Sequence, residues 1–280
     1  MMKKTLIAAA LALPLSAFAT VIPTTFDNTS LGGSDVVTFN QLQISGGSST
    51  VTLTDANNNG ALDIGDTFVE TGMVAGVGFT NAQGNPIAGT GLNQSYQLWA
   101  VFDPLVGFVS GATVLSVGPL TIQSFAASFV VPSGVKIYYD TNVNDGFTAG
   151  SALIGTASLP SASSSCTVSS QSGIGNPIET GSCILQFMFD FAGVVAPGVW
   201  TAFGGIDIGN VDGASLRVDM NVDNFSPNFF SPTYAAPGGT QQVALDHNGS
   251  ASFVPEPASL ALLGLGLVGL GAIRRRKASV

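Results

Sequence analysis

Positive charge is almost absent from the middle of this 280-residue chain. Of its eight Lys and Arg residues, Lys3 and Lys4 stand at the front, and Arg274, Arg275, Arg276 and Lys277 at the back. Between residues 20 and 254 only Lys136 and Arg217 remain, against sixteen of the seventeen acids, all but Glu256; two against sixteen leaves −14, where the whole chain carries −9. Two separated cations cannot track a phosphate backbone, so nucleic acid is excluded as a partner. Attraction to anionic lipid or acidic polysaccharide is also disfavoured unless divalent cations bridge the charges. Histidine is nearly missing too. With His247 alone, a His-rich zinc centre is excluded, and a Ser-His-Asp arrangement has one candidate base. That base stands beside Asp246 in a stretch that reads as linker, a poor place for a preorganised site. No Gly-rich phosphate loop joins a strand to a helix, and no spacing fixes a pair of carboxylates for glycoside hydrolysis.

Cysteine is equally sparse. Cys166 and Cys183 are the only two, and in an exported chain an even pair reads as one disulfide around a Ser- and Gly-rich loop. Closing such a loop contributes about 3 kcal/mol in the chain-entropy model. The alternative, a reactive thiol, needs an activating base close by.

No internal stretch shows the apolar period of an amphipathic helix; period-2 alternation is there instead. Tyr96, Leu98, Ala100 and Phe102 share one face, with Gln97 and Trp99 on the other. Cys183, Leu185, Phe187, Phe189 and Phe191 form the longest stripe, and Leu216, Val218, Met220 and Val222 alternate with polar residues. Val51-Leu53, Met73-Ala75-Val77-Phe79 and Val135-Ile137-Tyr139 are shorter examples. Gly, Pro, Asn and Asp bound each run, as they bound strands. About a dozen strands are expected, giving an all-β fold of β-sandwich or jelly-roll type.

Asp55, Asn57, Asn59, Asp63 and Asp66 place oxygens at positions 1, 3, 5, 9 and 12 of a loop with Gly60 at position 6 and Leu62 at position 8. That is the order of an EF-type calcium loop, in which a tight turn lets hard oxygens converge on one cation. Asp66 is shorter than the usual Glu, and no helices flank the loop. The alternative is an Asx-rich turn whose side chains serve backbone hydrogen bonds. Asp140, Asn142 and Asn144 repeat the spacing with a glycine, Gly146, one position late. Asp219, Asn221 and Asp223 repeat it on an alternating strand, where the polar face of a sheet is the better reading. Tyr96, Trp99 and Trp200 suit either stacking on sugar rings or filling a sandwich core; the core is preferred, since Tyr96 lies on the apolar stripe.

The two ends carry handling signals. Lys3 and Lys4, the apolar run Leu6 to Leu15 and Ala17-Phe18-Ala19 make a signal peptide over residues 1–19, cleaved after Ala19. At the back stand Pro255-Glu256-Pro257, sixteen uncharged residues from Ala258 to Ile273, and the basic cluster Arg274, Arg275, Arg276 and Lys277. Sixteen helical residues reach about 24 Å, a short span that the basic flank anchors by snorkelling. In order and spacing, residues 254–280 resemble the PEP-CTERM sorting signal of Gram-negative bacteria.

The resemblance implies recognition by an exosortase, a membrane transpeptidase-like enzyme acting near the triplet, after handling by the export machinery and signal peptidase. It implies a membrane-tethered precursor facing the periplasm, through residues 258–273, and then a protein at the cell surface or outside the cell. Hosts of such tails make exopolysaccharide, biofilm or flocs. The expected organisation is a β-rich domain over 20–233, a linker over 234–253 and the sorting signal. The expected role is that of a non-enzymatic structural or adhesive matrix protein, with calcium as the one cofactor the residues suggest. A carbohydrate-binding module or weak glycoside-active jelly-roll enzyme is the alternative.

Overall fold

Alternation of apolar and polar side chains over stretches of up to fifteen residues, punctuated by glycine and Asx turns, builds a molecule of strands. A computed structural model describes residues 21–254, apart from 131, 132, 145, 149, 160–163, 174–177, 191–197, 203–205, 209–214, 224–228, 230–233 and 235. The signal-peptide and sorting segments lie outside the described residues. The strands are β1 (Thr24–Asp27), β2 (Val36–Phe39), β3 (Gln41–Thr54), β4 (Thr67–Thr80) and β5 (Gln97–Asp103). Next come β6 (Leu105–Val117), β7 (Leu120–Val130), β8 (Gly134–Asp140), β9 (Ala152–Ser158) and β10 (Ser165–Ser172). The last are β11 (Ile178–Asp190), β12 (Trp200–Ala202), β13 (Ile206–Asp207), β14 (Ser215–Asp223) and β15 (Thr240–Val254). Thr29–Leu31 form a 3-10 turn, and among the described residues no helix is long and apolar enough to cross a membrane. The all-β class read from the sequence is the class observed.

Five strands, β4-β3-β15-β14-β11, form a continuous antiparallel sheet whose two edge strands each fork between two partners. On β4, Thr67–Glu70 pair with β6 while Met73–Ala75 pair with β5. On β11, residues from Ile178 to Ile184 pair with β10, and Met188–Asp190 pair with β9. Strands β6-β7-β10 therefore close one ring of eight strands on the shared sheet, and β5-β8-β9 close a second. Closure leaves few free sheet edges, the usual hazard of all-β chains. A smaller sheet, β13-β12-β1-β2, carries aromatic residues into the core. Phe26 lies 4.9 Å from Trp200 and 5.4 Å from Tyr96, ring centre to ring centre, and Phe39 lies 4.7 Å from Phe79.

Each ring encloses a cavity of about 60 Å³. Leu98, Ile137, Leu185 and Phe253 are among the residues lining the first; Val51, Phe68, Phe129, Val168 and Leu245 are among those lining the second. The inward side chains include the predicted Leu98 and Phe102, Cys183, Leu185 and Phe187, and all four apolar residues of the Leu216–Val222 stripe.

Three expectations are corrected. Residues 234–253 are not a linker: β15 runs to Val254 in the middle of the sheet, paired with β14 and β3. Val243 and Leu245 alternate inward with His247, a pattern hidden by the polar residues between them and by the histidine in an apolar position. On β4 the inward residue is Val74, with Val77 exposed, so the Met73-Ala75-Val77 face points outward. Phe79, the last residue of that stripe, is buried as expected, because a register shift between Gln43 and Ile44 leaves Val77 as an extra residue between Gly76 and Gly78 and reverses the inward parity of β4. Finally, the strands number fifteen rather than about a dozen among the described residues.

Candidate functional site

The Asp55–Asp66 loop joins β3 to β4 and turns through positive φ at Asn58, Gly60 and Gly65. Leu62 is buried and lines the second cavity, which pins the middle of the loop to the interior. Asp55 and Asp66 are 1% and 0% exposed. Asp55 accepts the backbone N–H of Asn59 at 3.1 Å, of Gly60 at 2.8 Å and of Gly238 at 3.1 Å. Burial works to raise its pKa, but these hydrogen bonds prevail and hold the carboxyl below its ordinary range. Asp66 accepts the N–H of Ala56 at 2.9 Å and of Asp63 at 3.0 Å. Asn57 and Asn59 each donate their side-chain amide to the Asp63 carboxylate at 2.5 Å. The loop thus brings Asn57, Asn59 and Asp63 into direct contact and ties Asp55 and Asp66 to the same turn. Among the described residues, no three His, Cys, Asp or Glu side chains already surround one point.

The other Asx repeats differ. Asp140 accepts hydrogen bonds from the Asn142 N–H at 2.8 Å, Ser151 Oγ at 2.6 Å and Thr148 Oγ1 at 3.2 Å. Burial raises its pKa, and these three donors more than offset that, leaving it lowered. Asp145 lies outside the described residues. On β14, Asp219 pairs with Arg217 at 2.8 Å and Asn221 donates to Asn248 at 3.2 Å, the cross-strand polar face that alternation implies.

His247 is buried in the sheet rather than standing in a linker. Its Nε2 meets Ser49 Oγ at 2.7 Å and Glu70 Oε1 at 2.6 Å, and Ser49 Oγ also donates to Glu70 Oε1 at 2.6 Å. All three residues are at most 6% exposed. A catalytic triad needs the serine and the carboxylate on opposite ring nitrogens. Here both share Nε2, and Nδ1 has no hydrogen-bond partner among the described residues. Sequence reading missed Ser49 and Glu70. Their parity with the inward Val51, Leu53 and Phe68 is the signal that places them inside.

Cys166 and Cys183 face each other across β10 and β11 and form the expected disulfide, on the wall of the second cavity. Trp200 is 3% exposed and donates its Nε1–H to the Ile154 carbonyl at 3.2 Å, a core role. Trp99 is half-buried and donates to Gln97 Oε1 at 3.2 Å. The sorting residues Pro255, Glu256 and Pro257 and the cluster Arg274, Arg275, Arg276 and Lys277 lie outside the described residues.

An exported all-β domain that ends at the Pro-Glu-Pro triplet is the class these features define. Residues 253–277 match the PEP-CTERM protein-sorting motif. The chain therefore carries the sorting signal of exosortase substrates, which implies export and a membrane-anchored precursor processed to the cell surface. No curated protein and no solved structure matches the chain.

Proposed function

We propose that the processed protein is a structural or adhesive component of the cell surface or extracellular matrix, without catalytic activity, acting with exopolysaccharide in biofilm or floc formation. The observation that carries this reading is the sorting motif following the last strand of a closed β domain directly: β15 ends at Val254 and the triplet begins at Pro255. The precursor is tethered facing the periplasm, and exosortase acts at the edge of the folded body. Several features support a non-enzymatic body. The one histidine is buried, and it shares one nitrogen between serine and glutamate. Both cavities are lined almost wholly by apolar side chains.

Deleting the chain in its own host and scoring aggregation and matrix retention tests the role. Loss of flocs or of matrix-bound protein is expected; an unchanged phenotype would count against it. For the carbohydrate-binding alternative, the burial of Trp200 leaves Trp99 as the aromatic with a partly open face. Glycan-array binding that disappears in Trp99→Ala, with stability retained, would favour that alternative.

A further inference from the structure

The loop Asp55–Asp66 concentrates three carboxylates, and among the described residues no Lys or Arg pairs with them. Lys136 is engaged with Asp103 at 2.7 Å and Arg217 with Asp219 at 2.8 Å; these are the only Lys and Arg between residues 20 and 254. His247 is committed to Ser49 and Glu70. Two of the three carboxylates are almost fully buried, and backbone N–H groups rather than a cation compensate their charge.

A second observation comes from a different part of the chain. Tyr234 is 8% exposed, and its hydroxyl is buried with no hydrogen-bond partner among the described residues. A buried hydroxyl left unpaired costs about 1–3 kcal/mol. It lies within electrostatic reach of the same three carboxylates: burial first, then Asp66, Asp55 and Asp63, push the phenol upward. The turn that follows Tyr234 is docked on Asp55 by two hydrogen bonds. Gly238 N–H donates to Asp55 Oδ2 at 3.1 Å, and Asp55 N–H donates to the Gly239 carbonyl at 3.1 Å.

The geometry points to a calcium site in which Asp55, Asn57, Asn59, Asp63 and Asp66 supply side-chain oxygens and the Tyr234 hydroxyl holds a water bound to the cation. Four of the five side chains are already held in the turn through their oxygens. Asp55, Asp66, Asn57 and Asn59 each accept a backbone N–H from within the loop and keep further lone pairs. The Asn57 and Asn59 side chains meet Asp63 through their amide N–H groups, and a bound cation would replace those donors and draw both Oδ1 atoms toward Asp63. Calcium is the fitting ion because it accepts six to eight oxygens in irregular geometry with water among them, whereas magnesium demands a near-ideal octahedron. Bound there, it would clamp the β3–β4 turn to the segment leading into β15. The inference stands whether or not the protein serves the matrix.

Calcium chloride alone, added to the full chain after treatment with chelator, tests the site. At 1 mM calcium the melting temperature should rise by roughly 5 °C, and the same magnesium concentration should give well under half of that. Asp63→Asn should abolish most of the shift while leaving the chelator-treated melting temperature within about 1 °C, because the Asp63 carboxylate touches only exposed asparagine amides. Tyr234→Phe, which removes only the hydroxyl, should weaken calcium binding about threefold or more by calorimetry. The proposal is overturned by no calcium response up to 10 mM, about tenfold above the range of weak extracellular modules. An equal response to magnesium, or an undiminished response in Asp63→Asn or in Tyr234→Phe, overturns it as well.

Discussion

His247 Nε2 and Glu70 Oε1 lie 2.6 Å apart inside the molecule, from strands β15 and β4 that flank β3, and β3 contributes Ser49 to both. Three neighbouring strands thus each place one polar side chain at the same depth of an otherwise apolar wall.

Removing Glu70 takes a charged hydrogen-bond partner from both Ser49 and His247 and leaves the two buried with only each other. Glu70→Ala should lower unfolding stability by about 2–3 kcal/mol. Replacing the cluster together, Ser49→Ala with Glu70→Leu and His247→Leu, should recover at least half of that loss. Urea unfolding of the two variants measures the difference. A triple variant weaker than the single one would show that the polar cluster itself holds the three strands in place.

The position of β15 leads to a second expectation. A chain stopped at residue 239 loses the partner of both β3 and β14 along their length. It should show no cooperative unfolding transition, whereas a chain stopped at Val254 should unfold in one step. Circular dichroism during heating distinguishes them.

The sequence made the all-β class legible because apolar residues in β5, β11 and β14 alternate over long uninterrupted runs. It hid β15 and the first half of β3, where Gly, Ser and Asn occupy the pattern and bulges shift it at Gly46-Gly47 and between His247 and Gly249. A further shift at Val77 reverses which parity of β4 faces inward, so the stripe Met73-Ala75-Val77-Phe79 splits, with Val77 outward and Phe79 inward. The Asp55 loop was legible as a motif, since its ligands are local. Tyr234 was not, because its place beside the loop arises from pairings between residues nearly the whole domain apart.

Cys166 and Cys183 join strands that are also held on their outer sides, β10 by β7 and β11 by β14. Cys166→Ala with Cys183→Ala should therefore cost about 3 kcal/mol and leave the fold intact. Near-UV circular dichroism should be retained while the denaturant midpoint falls. A midpoint that does not move would contradict the stabilising role.

Acid should unfold the protein through its buried aspartates. Asp55 and Asp140 have folded pKa values below the ordinary 3.8, so near that pH the unfolded chain binds more protons than the folded one. The stabilisation from both is present above about pH 4 and is lost as pH falls through the lower folded values. Asp140→Asn should lower stability at neutral pH and flatten the acid limb by up to about 1.4 kcal/mol per pH unit. Denaturant titrations between pH 2 and 6 should show that change in slope, and an unchanged slope would rule out Asp140 as a contributor.

The strand that completes the sheet is the last one to arrive. β3 waits for a neighbour encoded at the far end of the domain, and β14 waits for the same one. Pairing over so long a separation is slow because the intervening chain must be ordered first. The eleven-stranded sheet therefore stays open until the segment ending at residue 254 has joined it. The matched sorting motif begins within that segment, at residue 253. Completion of the sheet and the start of the sorting signal thus fall on the same few residues.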